Sequence, residues 1–182
     1  MEMVGEKSEL REYLEAFVIA VILALFIITF IAQSFVVQGR SMEPTLHNGQ
    51  RLLVDKLTYR FRAPAAGEIV VFRYPADPRR KFIKRIIGLP GDEVMIRDTV
   101  VYVNGKPLEE SYINGPTYGD WGPRKVPADR YFVLGDNRNN SDDSRFPDVG
   151  FVERRLLMGR AVASYWPVSS IGIIRVPESF TR

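Results

Sequence analysis

"DEVMIRDTVVYVNGKPL", residues 92–108, decides the fold class. Two short runs rich in Val, Ile, Met and Tyr are broken by Asp98-Thr99 and then by Asn104-Gly105. Asn-Gly between Val103 and Lys106 suits a type I′ hairpin turn, in which both central residues need positive φ. The same grammar extends outward in both directions. "QRLLVDKL", "GEIVVFRYP", "KFIKRIIG", "RYFVLGD" and "GRAVASYWP" are further short β-type runs, separated by Gly, Pro, Asn and Asp. Leu89-Pro90-Gly91-Asp92 fits a type II turn. Residues 111–127, "SYINGPTYGDWGPRKVP", read as a long Pro/Gly loop. No repeat, heptad or low-complexity tract interrupts the pattern, so the fold class is mostly β, a single antiparallel domain.

Composition narrows the chemistry. The chain has 182 residues, no cysteine, one histidine and a formal net charge of +3, with 46% hydrophobic residues. Without cysteine there is no disulfide scaffold, thiol nucleophile or thiolate metal site. A single imidazole, His47, excludes a histidine-rich zinc site. A Ser-His-Asp triad would need His47, which lies in the probable turn "LHNG" and reads as solvated. Basic charges are spread among the strands, with no basic helix and no aromatic RNA motif. Nucleic acid is therefore not an expected partner, and anionic lipid head groups are the simpler one.

Residues 16–37 contain no charge, and 16–32 are almost wholly apolar. As a helix, such a stretch is about 33 Å long, close to the hydrocarbon thickness of a bilayer. Ala32-Gln33-Ser34 imitates a signal-peptide cleavage site, but the apolar run is long and the preceding segment acidic. The expectation is an uncleaved transmembrane anchor helix over 16–37, preceded by a short segment, 1–15, and followed by a β-rich domain, 38–182. Lys and Arg counted near the two ends of the span would put the large C-terminal part in the cytoplasm.

Just past the span, "GRSMEPTL", residues 39–46, carries a hydroxyl that needs an activating base. If "KFIKRIIG" is a strand, Phe82, Lys84 and Ile86 share one face and Ile83, Arg85 and Ile87 the other, so Lys84 lies between two apolar neighbours. A strand lysine ordinarily reaches water. If it is desolvated instead, its pKa falls and a neutral amine can take a proton from serine. With cysteine absent and histidine nearly so, Ser41-Lys84 is the most plausible nucleophile–base pair. The polar cluster "GDNRNNSDDSR", residues 135–145, is either an ordinary solvated loop or a network shaping a site from beneath.

"GRSMEPTL", "FIKRIIGLPGD" and "GDNRNNSDDSR", ordered in this way behind an apolar N-terminal run, resemble the signature boxes of bacterial type I signal peptidases, the Ser-Lys leader peptidase family. The resemblance reaches from the span to about Trp166. It implies antiparallel sheets, a serine endopeptidase without metal or cofactor, and secretory preproteins with small residues at −3 and −1 as substrates. It makes Ser41 the nucleophile, Lys84 the general base and Ser141 the residue that hydrogen-bonds and orients the lysine. Asp143 with Arg145, and Asp136 with Arg85, correspond to two supporting ion pairs. Phe35, Val37, Met42, Leu46, Phe82 and Ile83 match the substrate pockets. The implied location is a bacterial plasma membrane, single-pass, with the N-terminus cytoplasmic and the catalytic domain extracytoplasmic. Where some members carry a serine two positions before the nucleophile, this chain has Gly39, so the oxyanion must rely on backbone N–H groups, those of Ser41 and its neighbourhood. The alternative is a membrane-tethered β-domain that binds a partner and catalyses nothing. No signal for an oligomeric state is present.

Overall fold

The computed structural model describes residues 6–26 and 32–180. Helix α1 spans Glu6–Phe26. The strands are β1 (Ala32–Val36), β2 (Arg51–Asp55), β3 (Ile69–Tyr74), β4 (Asp77–Gly88), β5 (Glu93–Arg97), β6 (Val100–Val103), β7 (Lys106–Pro107), β8 (Trp121–Lys125), β9 (Arg130–Leu134), β10 (Val152–Glu153), β11 (Leu157–Trp166) and β12 (Gly172–Ile173). A short helix, α2 (Thr58–Phe61), follows β2. The larger sheet runs β1-β2-β11-β3-β4-β9-β10 with β12 beside β11, and the smaller runs β7-β6-β5-β8. All pairings are antiparallel.

The runs read as strands become β2, β3, β4, β5, β6, β9 and β11. Asn104 (φ 53°) and Gly105 (φ 75°) turn the β6–β7 hairpin, as a type I′ turn requires. The Asp92 N–H bonds to the Leu89 carbonyl at 3.0 Å with Gly91 at φ 92°, which closes the type II turn.

Two expectations move. Residues 111–127 are not loop throughout, because Trp121–Lys125 form β8 on the edge of the small sheet. An edge strand tolerates Pro123, whose missing N–H faces away from its single neighbour. Trp121 gives the strand its hold, with its ring 4.5 Å from that of Phe132. The anchor expected over 16–37 also changes at its end. Ala32–Val36 are a strand in register with Arg51–Asp55, and Ser34 Oγ meets the Tyr165 hydroxyl at 2.5 Å. A charge-free stretch reads alike for a lipid-facing helix and for an edge strand, and here Gln33, Ser34 and the β-branched Val36 belong to the strand. Among the described residues no helix is long and apolar enough to cross a membrane. The apolar part of α1 nevertheless presents Phe17, Ile19, Ile22, Leu23 and Leu25 more than half exposed. The remainder of the run, 27–31, lies outside the described residues.

One apolar cluster matters most for the site. Val37, Met42, Leu46, Leu52, Val54, Ile69, Val71 and Ala161 are buried together, with Phe35 and Ile83 packed against them. Met42 and Leu46 are plugs under the Ser41 turn, each worth about 2–3 kcal/mol of burial. They hold the backbone of that turn against the sheet.

Candidate active site

Strand β4 supplies the candidate base, Lys84. Lys84 sits opposite Val70 on β3 and is only 4% exposed. Its Nζ lies 2.7 Å from Ser41 Oγ and 5.3 Å from the centre of the Phe82 ring. Burial pulls its pKa from 10.5 down to about 8, against the opposing pull of Asp143, Asp142 and Asp136. The amine is therefore appreciably neutral at ordinary pH. In that form the 2.7 Å contact runs the other way, with the serine O–H donating to the amine.

The Ser41 turn is tied to the 135–145 loop at three points. The Asn137 N–H donates to the Ser41 carbonyl at 3.0 Å, and Asn137 Nδ2 to the Arg40 carbonyl at 3.1 Å. Thr45 Oγ1 donates to Asp136 Oδ2 at 2.5 Å. Asp136 in turn takes Arg85 Nε at 2.9 Å and Nη2 at 2.6 Å, a bidentate pair with both side chains almost wholly buried. Arg85 Nη1 also donates to the Gly67 carbonyl at 2.7 Å. Asp143, fully buried, accepts Arg145 Nε at 2.8 Å, Arg145 Nη2 at 2.9 Å and the Gly135 N–H at 3.1 Å. Asp136, Arg85, Asp143 and Arg145 thus brace the site from behind rather than line it.

Ser41, Lys84 and Ser141 open on one cleft of about 620 Å³, walled by β1 and its continuation to Met42 on one side and by residues 80–84 of β4 on the other. Phe35, Val37, Met42, Phe82 and Ile83 line it. Leu46 does not. It is buried in the core beneath the turn, because the Leu46 N–H closes back on the Met42 carbonyl and points the side chain inward. Ser141 also differs from expectation. Its Oγ is buried but has no hydrogen-bond partner, so in this state it does not orient Lys84, whose amine is engaged by Ser41. His47 is 60% exposed at its side chain and stands outside the cleft. The Gly39 N–H is occupied by Asn48 Oδ1 at 2.9 Å, which removes it from any oxyanion role.

Three contributors were not visible in the sequence. Asn137 pins the carbonyls of Arg40 and Ser41. Arg138 is buried among Glu110, Thr117 and the Gly135 carbonyl, and so clamps the loop before β8 onto the catalytic loop. Gly135 allows close approach, since a Cβ there would strike Ser141 Oγ and come 2.5 Å from the Ser41 carbonyl. Asn137, Arg138 and Gly135 belong to a conspicuous polar cluster. Glu110 and Thr117 had no local signal, being 28 and 21 positions from Arg138.

The chain matches the family model described as signal peptidase, peptidase S26, over residues 10–166. It is 52% identical over 163 residues to a probable signal peptidase I-2 of Synechocystis sp., covering 86% of this chain and 73% of the relative. It is 45% identical over 181 residues to a signal peptidase I of Leptolyngbya laminosa, covering 95% and 88%. A crystal structure of a signal peptidase I from Enterococcus faecalis V583 matches at 35% identity and a TM-score of 0.48, covering 54% of this chain and 97% of that one. With a family model spanning most of its length and relatives aligned nearly end to end, the chain belongs to the signal peptidase S26 family of serine endopeptidases.

Proposed function

We propose that the protein removes N-terminal signal peptides from secretory preproteins after small residues at −3 and −1, with Ser41 as nucleophile and Lys84 as general base. The observation that carries this reading is the buried 2.7 Å contact between Lys84 Nζ and Ser41 Oγ. Neutral Lys84 takes the serine proton as Oγ attacks the scissile carbonyl. The same amine, now an ammonium, protonates the departing amine of the mature chain, leaving an ester on Ser41. Lys84 then accepts a proton from water, whose oxygen attacks the ester, and returns that proton to the departing Ser41 Oγ; the signal peptide leaves as a carboxylic acid that ionises in solvent. The Ser41 backbone N–H stabilises the oxyanion, because Gly39 offers neither a side chain nor a free N–H.

Substrate specificity follows from shape. An extended peptide lying between β1 and β4 turns alternate side chains toward the apolar Phe35, Val37 and Ile83, which line the cleft. Ser141 enters later in the cycle. A buried hydroxyl without a partner costs about 1–3 kcal/mol, and it becomes satisfied when the Lys84 amine leaves the acylated Ser41. The run from Ala16 through the residues beyond Phe26 anchors the enzyme in a bacterial plasma membrane, with residues 1–15 cytoplasmic and the β domain, from β1 onward, outside. Anchoring raises the local concentration of preproteins held in the same bilayer.

The test is cleavage of a preprotein whose signal ends in Ala-x-Ala, with sequencing of the product N-terminus. Cleavage after that alanine by the wild type and none by Ser41→Ala supports the assignment. Retained cleavage by Ser41→Ala eliminates Ser41 as nucleophile.

A further inference from the structure

Beside Ser41 the cleft described above is lined by Met42, Ile83, Ser141 and the carboxylate of Asp142, and farther along it carries two cations. Lys81 and Arg80 both line it, and both are exposed. Lys81 lies two residues before Ile83 on β4 and shares its face, so it continues the wall that Ile83 begins. Its Nζ reaches across the cleft to stand 5.6 Å over the Phe35 ring of β1. Arg80 sits over a stacked pair of rings, 5.1 Å from Tyr74 and 5.4 Å from Phe82, whose centres are 4.5 Å apart. Among the described residues neither cation makes an ion pair. Asp77 feels the Arg80 charge directly, and Asp142 and Asp148 act on Tyr74 beside it, so carboxylates surround Arg80. Lys81 is left as the less compensated of the two.

We propose that Lys81, backed by Arg80, is a charge filter on the signal-peptide side of the cleft. It accepts acidic or neutral side chains just upstream of the −3 residue and rejects basic ones. The placement rests on the function proposed above, in which Phe35, Val37 and Ile83 receive the −1 and −3 side chains. An extended substrate advances about 3.3 Å per residue, the same step as β4. If −1 lies against Ile83 beside the dyad, −3 faces the Phe35–Lys81 contact. The −5 side chain points the same way by alternation but lies one further two-residue step, about 7 Å, beyond residue 81, a gap that the Lys81 ammonium and a long −5 side chain close together. A Lys or Arg there meets an unpaired ammonium, whereas a Glu gains an ion pair. The filter thus distinguishes a neutral or acidic segment ahead of the cleavage site from a basic one.

Three synthetic substrates test this, identical in Ala-x-Ala and differing only at −5, which is Glu, Gln or Lys. They are incubated with the full-length enzyme in non-ionic detergent, and kcat/KM is compared at low salt and in 0.5 M NaCl. The wild type is expected to prefer Glu over Lys by about fivefold, as suits solvent-exposed charges. That preference should shrink toward unity in high salt, where the Debye length is only a few ångströms. Lys81→Glu should reverse the order, and Lys81→Gln should abolish most of it. Equal rates for the three substrates with the wild type at low salt overturn the filter while leaving the peptidase assignment intact. An unchanged Glu preference in Lys81→Gln overturns the assignment to Lys81. No cleavage of even the Gln substrate by folded wild type overturns the proposed function, and the filter with it. The salt arm needs no variant, so misfolding of a substituted enzyme does not blunt the test.

Discussion

Lys84 and Arg85 are neighbours on β4, both buried, and the two faces of the strand treat their charges in opposite ways. Arg85 is wrapped by Asp136 in a bidentate pair and by the Gly67 carbonyl. Among the described residues, Lys84 has only the Ser41 hydroxyl at hydrogen-bond distance and a ring face nearby. One side of the strand compensates a permanent cation so that it can hold two loops together. The other leaves a titratable cation undercompensated, and the amine responds by giving up its proton more readily. Guanidinium suits the first task because it stays charged, and primary amine suits the second because it does not.

The contrast can be broken first at Lys84. Lys84→Met should lower kcat/KM by at least about three orders of magnitude, the scale on which losing a nucleophile's base acts. The same substitution should stabilise the fold. The amine titrates near 8 in the folded protein and near 10.5 when unfolded, so below pH 8 both states bind the proton and the full penalty of burying the charge applies. At about 1.4 kcal/mol per pH unit, that penalty is about 3 kcal/mol. Between pH 8 and 10.5 the unfolded chain binds more protons than the folded one. Wild-type stability therefore rises with pH in that window, and the advantage of Lys84→Met fades. Urea unfolding of both proteins at pH 6.5 and 10 reads this directly, and a destabilised Met variant at pH 6.5 would refute it.

Arg85→Met is expected to do the reverse. It leaves Asp136 buried without its partner, at a cost of about 3–5 kcal/mol in unfolding free energy. Activity falls in proportion to the folded fraction and to the loosening of Thr45. Gly135→Ala sharpens the comparison where the two supporting loops meet. An added Cβ presses on Ser141 and on the Ser41 carbonyl, so stability should drop by about 1–3 kcal/mol and kcat more than KM should suffer. The smallest fall in activity is expected from Ser141→Ala, severalfold in kcat, with stability raised by about 1–3 kcal/mol because a buried unpaired hydroxyl is removed. A wild-type rate would remove Ser141 from the cycle.

Much of this was legible in the sequence, for reasons that differ between elements. Strands such as Ile69–Tyr74 and Glu93–Arg97 announce themselves because burial selects β-branched residues. The Asn104-Gly105 and Pro90-Gly91 turns follow from backbone sterics alone. β1 was hidden because it continues an apolar run without a break in charge. β8 was hidden because its Gly122-Pro123 carries a loop signature, while its hold on the fold comes from Trp121 against a distant Phe132. At the site, Ser41 and Lys84 could be paired by elimination of other nucleophiles and bases. The clamp from Glu110 and Thr117 to Arg138 could not, since long-range hydrogen bonds leave no local periodicity. Ser141 reaches the cleft that Ser41 and Lys84 share, but among the described residues its hydroxyl has no partner, which no local pattern in the sequence announces.

The most direct test of a burial-tuned lysine base is kcat/KM for an Ala-x-Ala preprotein measured from pH 5.5 to 10. The expected profile rises tenfold per pH unit, bends near pH 8 and then levels off as Lys84 becomes fully neutral. A rate that is flat across the range, or that bends only near the ordinary lysine value of 10.5, would contradict the claim that burial makes Lys84 the base.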